Sequence, residues 1–171
     1  VFTSNVDGHF QKAGFDIDRI VEVHGSIHYL QCLVDCGMGL FSADKAKVDV
    51  NPADMLAQRP LPACPACGSQ ARPNILMFDD MEWDSSRTVA QQARLKEWLE
   101  AIGGSRLVIV ECGAGMTIPT VRWYCETTAN ARGATLIRIN LREAAVPKNQ
   151  IGIAAGAMET LLAIDRALTS A

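Results

Sequence analysis

The chain has 171 residues, a net charge of −3 and 20% charged residues, enough for one domain with a real core and a small appended module. Hydrophobic residues make up 49%, the composition of a soluble globular chain. With no long basic run and no apolar run of membrane-span length, nothing recommends a nucleic acid or a membrane as partner.

Residues 1–4 (VFTS) read as a short strand, followed by the polar loop "NVDGHFQKAG" ending at Gly14. Because the chain starts at Val1 and runs at once from strand into loop, further sequence is expected upstream. "RIVEVHG" (19–25) reads as a second strand stopped by Gly25. Residues 28–72 then lose regular periodicity and carry Pro52, Pro60, Pro62 and Pro65, the mark of an inserted module. "NILMF" (74–78) is short enough for a buried strand.

The second half alternates helix and strand. Residues 86–102 place Val89, Ala93, Leu95, Trp98, Leu99 and Ile102 on one helical stripe, and Gly103 and Gly104 stop it. "RLVIVEC" (106–112) reads as a fully apolar strand, turned by "GAG" (113–115). A helix is expected over 119–131 with Pro119 in its first turn, then a strand at "TLIRIN" (135–140). A last helix over 157–168 is expected to face Met158, Leu161, Leu162 and Leu168 inward. The alternation implies an α/β fold whose parallel sheet is covered on both faces. Ligands bind such sheets at the carboxyl ends of the strands, where "SNVDGH", "HGS", "GAG" and "INLRE" fall.

Four of the six cysteines form two tight pairs, Cys32 with Cys36 and Cys64 with Cys67. Such pairs read as a metal site in a reducing, cytoplasmic compartment. Four thiolates close a tetrahedron around Zn2+ and leave no open position for water, so the site is structural. His28 is an alternative ligand. Cys112 and Cys125 stand alone and read as buried small hydrophobes.

In order, "TSNVDGHFQKAG", "VEVHGSIH", the two cysteine pairs, "ARPNILMF", "VIVECGAGMTIP" and "LIRIN" resemble the sirtuins, the NAD-dependent protein deacylases. That family carries TQNIDGLHxxAG, a strand ending in HG, four zinc cysteines, RPxVVxFGE, a GTSLxVxP loop and a strand ending in IN. The resemblance implies a Rossmann-like parallel sheet, residues 1–27 with 73–171, incomplete at its N-terminus, and a zinc-binding module at 28–72. It implies NAD as cofactor and an acylated-lysine protein or peptide as substrate. By the same match His24 is the general base that deprotonates a ribose hydroxyl, a step that suits imidazole. Ser4, Asn5 and Asp7 match the positions around the nicotinamide ribose and carboxamide. Gly113, Ala114 and Gly115 match the loop where backbone approaches the cofactor, and Asn140 matches the adenosine ribose contact. Leu76, Phe78 and Asp79 match the substrate tunnel and its edge.

The match departs in four places. Ser4 replaces Gln, and "FDD" (78–80) replaces FGE, which puts a negative charge at the edge expected to pair with a substrate peptide. "ECGAGMTIP" is one residue short of the family loop, and the family's opening GAGxS and GIPDFR segment, its pyrophosphate cradle, does not occur. These departures leave two alternatives: a protein ADP-ribosyltransferase on the same scaffold, and a non-catalytic interaction module stabilised by zinc.

Overall fold

Phe2–Thr3 and Val21–Glu22 form strands β1 and β2, paired in parallel with Phe2 opposite Val21. The computed structural model describes residues 1–170 and divides into two units, Val1–Ala101 and a second beginning at Ile102. In the first unit, β1 leads through a loop into one helical turn, α1 (His9–Lys12), which Gly14 ends. The Asp16 carboxylate then accepts the Asp18 N–H and caps a 3-10 turn, Ile17–Arg19, that delivers the chain into β2.

Strand β3 (Gly25–Cys32) is the centre of an antiparallel sheet ordered β4–β3–β5, with β4 at Phe41–Ser42 and β5 at Ala71–Ile75. Gly25 is required at the start of β3. Its φ is +86°, and a Cβ there would lie 2.0 Å from the Asn74 carbonyl oxygen. Helix α2 (Ser86–Ala101) begins where the Asp84 side chain accepts the Ser86 N–H at 2.9 Å.

The second unit holds β6 (Val108–Cys112), β7 (Thr135–Ile139) and β8 (Ile151–Ile153) as an all-parallel sheet in the order β6–β7–β8. Helix α3 (Thr120–Arg132) connects β6 to β7 and ends at Gly133, whose φ of +59° gives the left-handed C-cap. Its Cys125 and Ala129 pack with Ala134 and Leu136, and Leu107, Ile109 and Val121 close around them. Helix α4 (Ala157–Thr169) ends the unit.

Several expectations need correction. "NILMF" is not a buried strand throughout: β5 stops at Ile75, pairs antiparallel with β3, and leaves Met77 and Phe78 exposed. The buried residues of α2 are Thr88 and Gln91, because the helix docks on β2 through hydrogen bonds to Glu22, while Val89 is exposed. Leu95 and Trp98 line an open cavity of about 250 Å3 with Phe15 and Val21. Met158, Leu161, Leu162 and Leu168 of α4 are exposed, so the parallel sheet is not covered as predicted. "VIVEC" is not apolar throughout in its burial: Glu111 is buried and Val108 and Val110 are exposed. Strand β8 carried no separate signal. Cys125 is buried as expected, but Cys112 is exposed.

Candidate functional site

The metal cluster lies where β3 ends. Cys32 is the last residue of that strand, and Asp35 and Gly37, both at positive φ, fold the next turn so that Cys36 faces back. The second pair sits on a tight knuckle. Gly68 donates to the Cys64 carbonyl at 2.9 Å, Cys64 donates to Ser69 at 2.7 Å, and Gly68 has a φ of +73°. All four Sγ atoms lie within 4.8 Å of one another, with Cys32–Cys67 and Cys36–Cys64 at 3.6 Å. A tetrahedron with zinc–sulfur bonds of about 2.3 Å has edges of about 3.8 Å, so the four thiols fit zinc. Hydrogen bonds from Ser69, side chain first and backbone second, hold the Cys67 thiol down at about 6. Cys36 has a backbone donor from Met38, yet hydrogen bonding to Cys67 and Cys64 pushes it up to about 12. His28 is not a fifth candidate: its Nε2 is bonded to the Asp7 carbonyl at 3.1 Å.

His24 occupies the turn between β2 and β3, at the carboxyl end of β2. Burial lowers its pKa and favours the neutral imidazole. Its carbonyl accepts the Leu76 N–H at 3.0 Å, which joins the end of β5 to this turn. The Ser4–Asp7 loop leaves β1 beside it, since Val23 donates to Thr3 at 2.9 Å. Asn5 is held by its N–H on the Thr3 hydroxyl. The Asp7 carboxylate accepts the His9 N–H at 3.0 Å and faces the His9 ring at 3.5 Å. Thus Ser4, Asn5, His24 and Leu76 lie at the end of the β1–β2 pair, while Asp7 runs alongside β3, its carbonyl bonded to His28 Nε2.

Phe78 and Asp79 lie on the turn that follows. The Asp80 carboxylate accepts Arg72 at 2.6 Å and the Met77 N–H at 3.2 Å, which folds 76–80 back on β5. The Arg72 guanidinium holds the Asp80 carboxyl below the ordinary carboxylate range. Phe78 is 84% exposed at the tip. Asp79 has a φ of +56°, the conformation glycine adopts most easily, and it lies in a turn rather than an edge strand.

In the second unit Gly113 turns at φ +69° and donates to the Ile139 carbonyl at 3.0 Å. Asn140 bridges two loops. Its Nδ2 donates to Ala114 at 3.1 Å, and its Oδ1 accepts the N–H groups of Arg142 and Glu143, each at 3.0 Å. The Glu143 carboxylate accepts the Met116 N–H at 3.0 Å and would touch a Cβ added at Gly115. The structure therefore brings Gly113, Ala114, Gly115 and Asn140 together.

A family model described as "Sir2 family" matches residues 1–110. The chain belongs to the Sir2 family. Among Sir2 relatives, an NAD-dependent protein deacylase 2 of Pyrobaculum aerophilum is 29% identical over 147 residues, covering 85% of this chain and 49% of its own length. A Fusarium oxysporum f. sp. cubense protein named "Probable bifunctional ADP-ribose hydrolase/ADP-ribosyltransferase" is 29% identical over 163 residues, 88% of this chain and 27% of its own length. A solved structure of Sir2 with a p53 peptide and NAD+ superposes with a TM-score of 0.62 over 100% of this chain and 63% of that one, at 20% identity, which speaks to the fold. The chain spans about half the length of the curated deacylases it matches. Among its described residues no helix is long and apolar enough to cross a membrane.

Two groups around these sites escaped the sequence reading. Glu22, buried between β2 and α2, pairs with Arg87, whose guanidinium stacks 4.4 Å from the Tyr29 ring centroid. Arg122, on α3, reaches the loops of the second unit. Charged residues inside apolar patterns are the only signal either left.

Proposed function

We propose that this chain carries the site of an NAD-dependent protein deacylase, with residues 1–27 and 73–171 serving NAD and 28–72 forming the zinc module. One observation carries the reading: a half-buried histidine, its pKa lowered by burial, sits at the end of a parallel strand pair beside a loop bearing an amide and a carboxylate. The substrate is an acylated lysine in a protein or peptide. NAD, when bound, would supply the ribose carbon that takes the acyl oxygen in exchange for nicotinamide; with one water consumed, the acyl group would end on ADP-ribose and the lysine amine would be freed. His24 accepts the proton of the adjacent ribose hydroxyl. Neutral imidazole is the competent form for that step, and lowering its pKa widens the pH range in which it is neutral.

Asn5 and Asp7 hold the ribose and carboxamide, with Ser4 in a shortened contact. Gly113, Ala114 and Gly115 allow close backbone approach, and Asn140 binds the second ribose. Leu76 and Phe78 take the acyl chain, and the Asp79 carboxylate favours a basic flanking residue by charge complementarity. Cys32, Cys36, Cys64 and Cys67 hold a structural Zn2+, whose contribution is to fold a segment with too little apolar material for a core.

The likeness to the Fusarium protein supports a second reading, transfer of ADP-ribose to a protein side chain. Incubation with NAD and an acetyl-lysine peptide tests the first. Formation of deacetylated peptide is expected to fall by at least about 100-fold in His24→Ala. Equal deacetylation by the two proteins would refute the assignment of His24.

A further inference from the structure

We propose that Arg122 is the positioning residue that ties the 113–116 turn to the 140–145 loop and thereby sets NAD affinity without touching NAD. This rests on the reading that these loops serve NAD. Arg122 lies in the first turn of α3 and is 6% exposed, so its side chain has almost no surface to offer a ligand. Its guanidinium donates to the Ala114 carbonyl at 3.0 Å, the Glu143 carbonyl at 2.6 Å and the Ala145 carbonyl at 3.4 Å. Ala114 belongs to the turn after β6. Glu143 and Ala145 belong to the loop after β7. One planar group thus grips both connections.

The geometry makes Arg122 hard to replace. The bridge is made by Nη2, which donates to Ala114 in one loop and to Glu143 in the other, while Nη1 adds Ala145; lysine keeps the charge but has neither the second nitrogen nor the fixed fork that aims the donors. The same two loops are also joined directly, where Asn140 donates to Ala114 and Glu143 accepts from Met116. Those contacts involve the residues expected to face the cofactor. They hold their alignment when the backbone of both loops is fixed, and Arg122 supplies that fixing through charge-assisted bonds. Its Nε is buried without a partner, so it is the loop carbonyls, not a full set of partners, that hold the group there.

The test compares Arg122→Lys and Arg122→Met with the parent by amide hydrogen exchange and NAD titration. The reporter amides are those of Gly113, Met116, Arg142 and Glu143, each of which donates within or between the two loops or to β7. Exchange at these amides is expected to rise at least about tenfold in both variants, while the β7 amides of residues 136–139 stay protected. NAD affinity is expected to fall about tenfold in both. Full rescue by lysine would mean that a lone ammonium serves as well, so the guanidinium fork is not what sets the loops, and would overturn the proposal. So would unchanged exchange in Arg122→Met. Raised exchange with unchanged NAD affinity would overturn the affinity claim. A parent that binds no NAD would sink the reading of the loops as an NAD site and the affinity claim with it, while the exchange data would still decide whether Arg122 ties them.

Discussion

Replacing Arg138 by Met should destabilise the second unit severely, for reasons visible in its neighbours. Arg138 and Glu111 face each other across the parallel β6–β7 register, and they are 1% and 2% exposed. The guanidinium makes two bonds to the Glu111 carboxylate at 2.5 and 2.9 Å, one to Glu126 at 2.8 Å and one to the Ala145 carbonyl at 2.5 Å. Removing it leaves a carboxylate in the core without its cation, which costs about 3–5 kcal/mol. In a chain of this size that lowers the thermal midpoint by about 10 °C. Glu111→Leu combined with Arg138→Met should recover most of the stability, since both desolvation penalties disappear. Urea unfolding measures both. A single-variant loss under about 0.5 kcal/mol would refute the claim that the pair is desolvated.

Gly25→Ala should cost more than about 2 kcal/mol, because φ is +86° and the new Cβ would meet the Asn74 carbonyl; chemical denaturation reads it, and a neutral variant would mean β5 can withdraw. The protein should contain one zinc per chain by elemental analysis, and Cys64→Ala should lose it and expose 32–71 to proteolysis. A metal-free chain with a protease-resistant module would contradict that. Deacylation should fall on the acid side with an apparent pKa below the ordinary histidine value of 6.5, and a midpoint above 6.5 would exclude His24 as the base. The same burial means the unfolded chain takes up this proton first, so the His24 contribution to stability is lost as pH falls from 6.5 toward the folded-state value and is constant above 6.5.

The metal site was the most legible feature, because ligand spacing is local: a knuckle needs only Cys64, Cys67 and Gly68 to form. The ends of β1 and β2 were legible for a similar reason, as short apolar runs ending in polar loops. What could not be read was pairing. "NILMF" has the pattern of a buried strand, but Gly25 admits the Asn74 carbonyl, and the run therefore pairs antiparallel with β3 and spills its last residues into a turn. Polar docking misled in another way. Helix α2 meets β2 through Thr88 and Gln91, so its apolar stripe did not mark its buried face. Glu111 sits in a run read as fully apolar and Arg138 in the next strand, and only the register reveals them as partners. Arg122 is legible only in three dimensions, since its targets lie 8, 21 and 23 residues away.

The central claim is that this chain carries an NAD-dependent deacylase site built around His24. The most direct measurement is mass spectrometry of one reaction of the protein with NAD and an acetyl-lysine peptide, counting nicotinamide and deacetylated peptide together. The account predicts that the two form in equal amounts and that deacetylated peptide vanishes in His24→Ala. NAD consumed with ADP-ribose left on protein and no deacetylated peptide, or peptide deacetylated equally well without NAD, would contradict it.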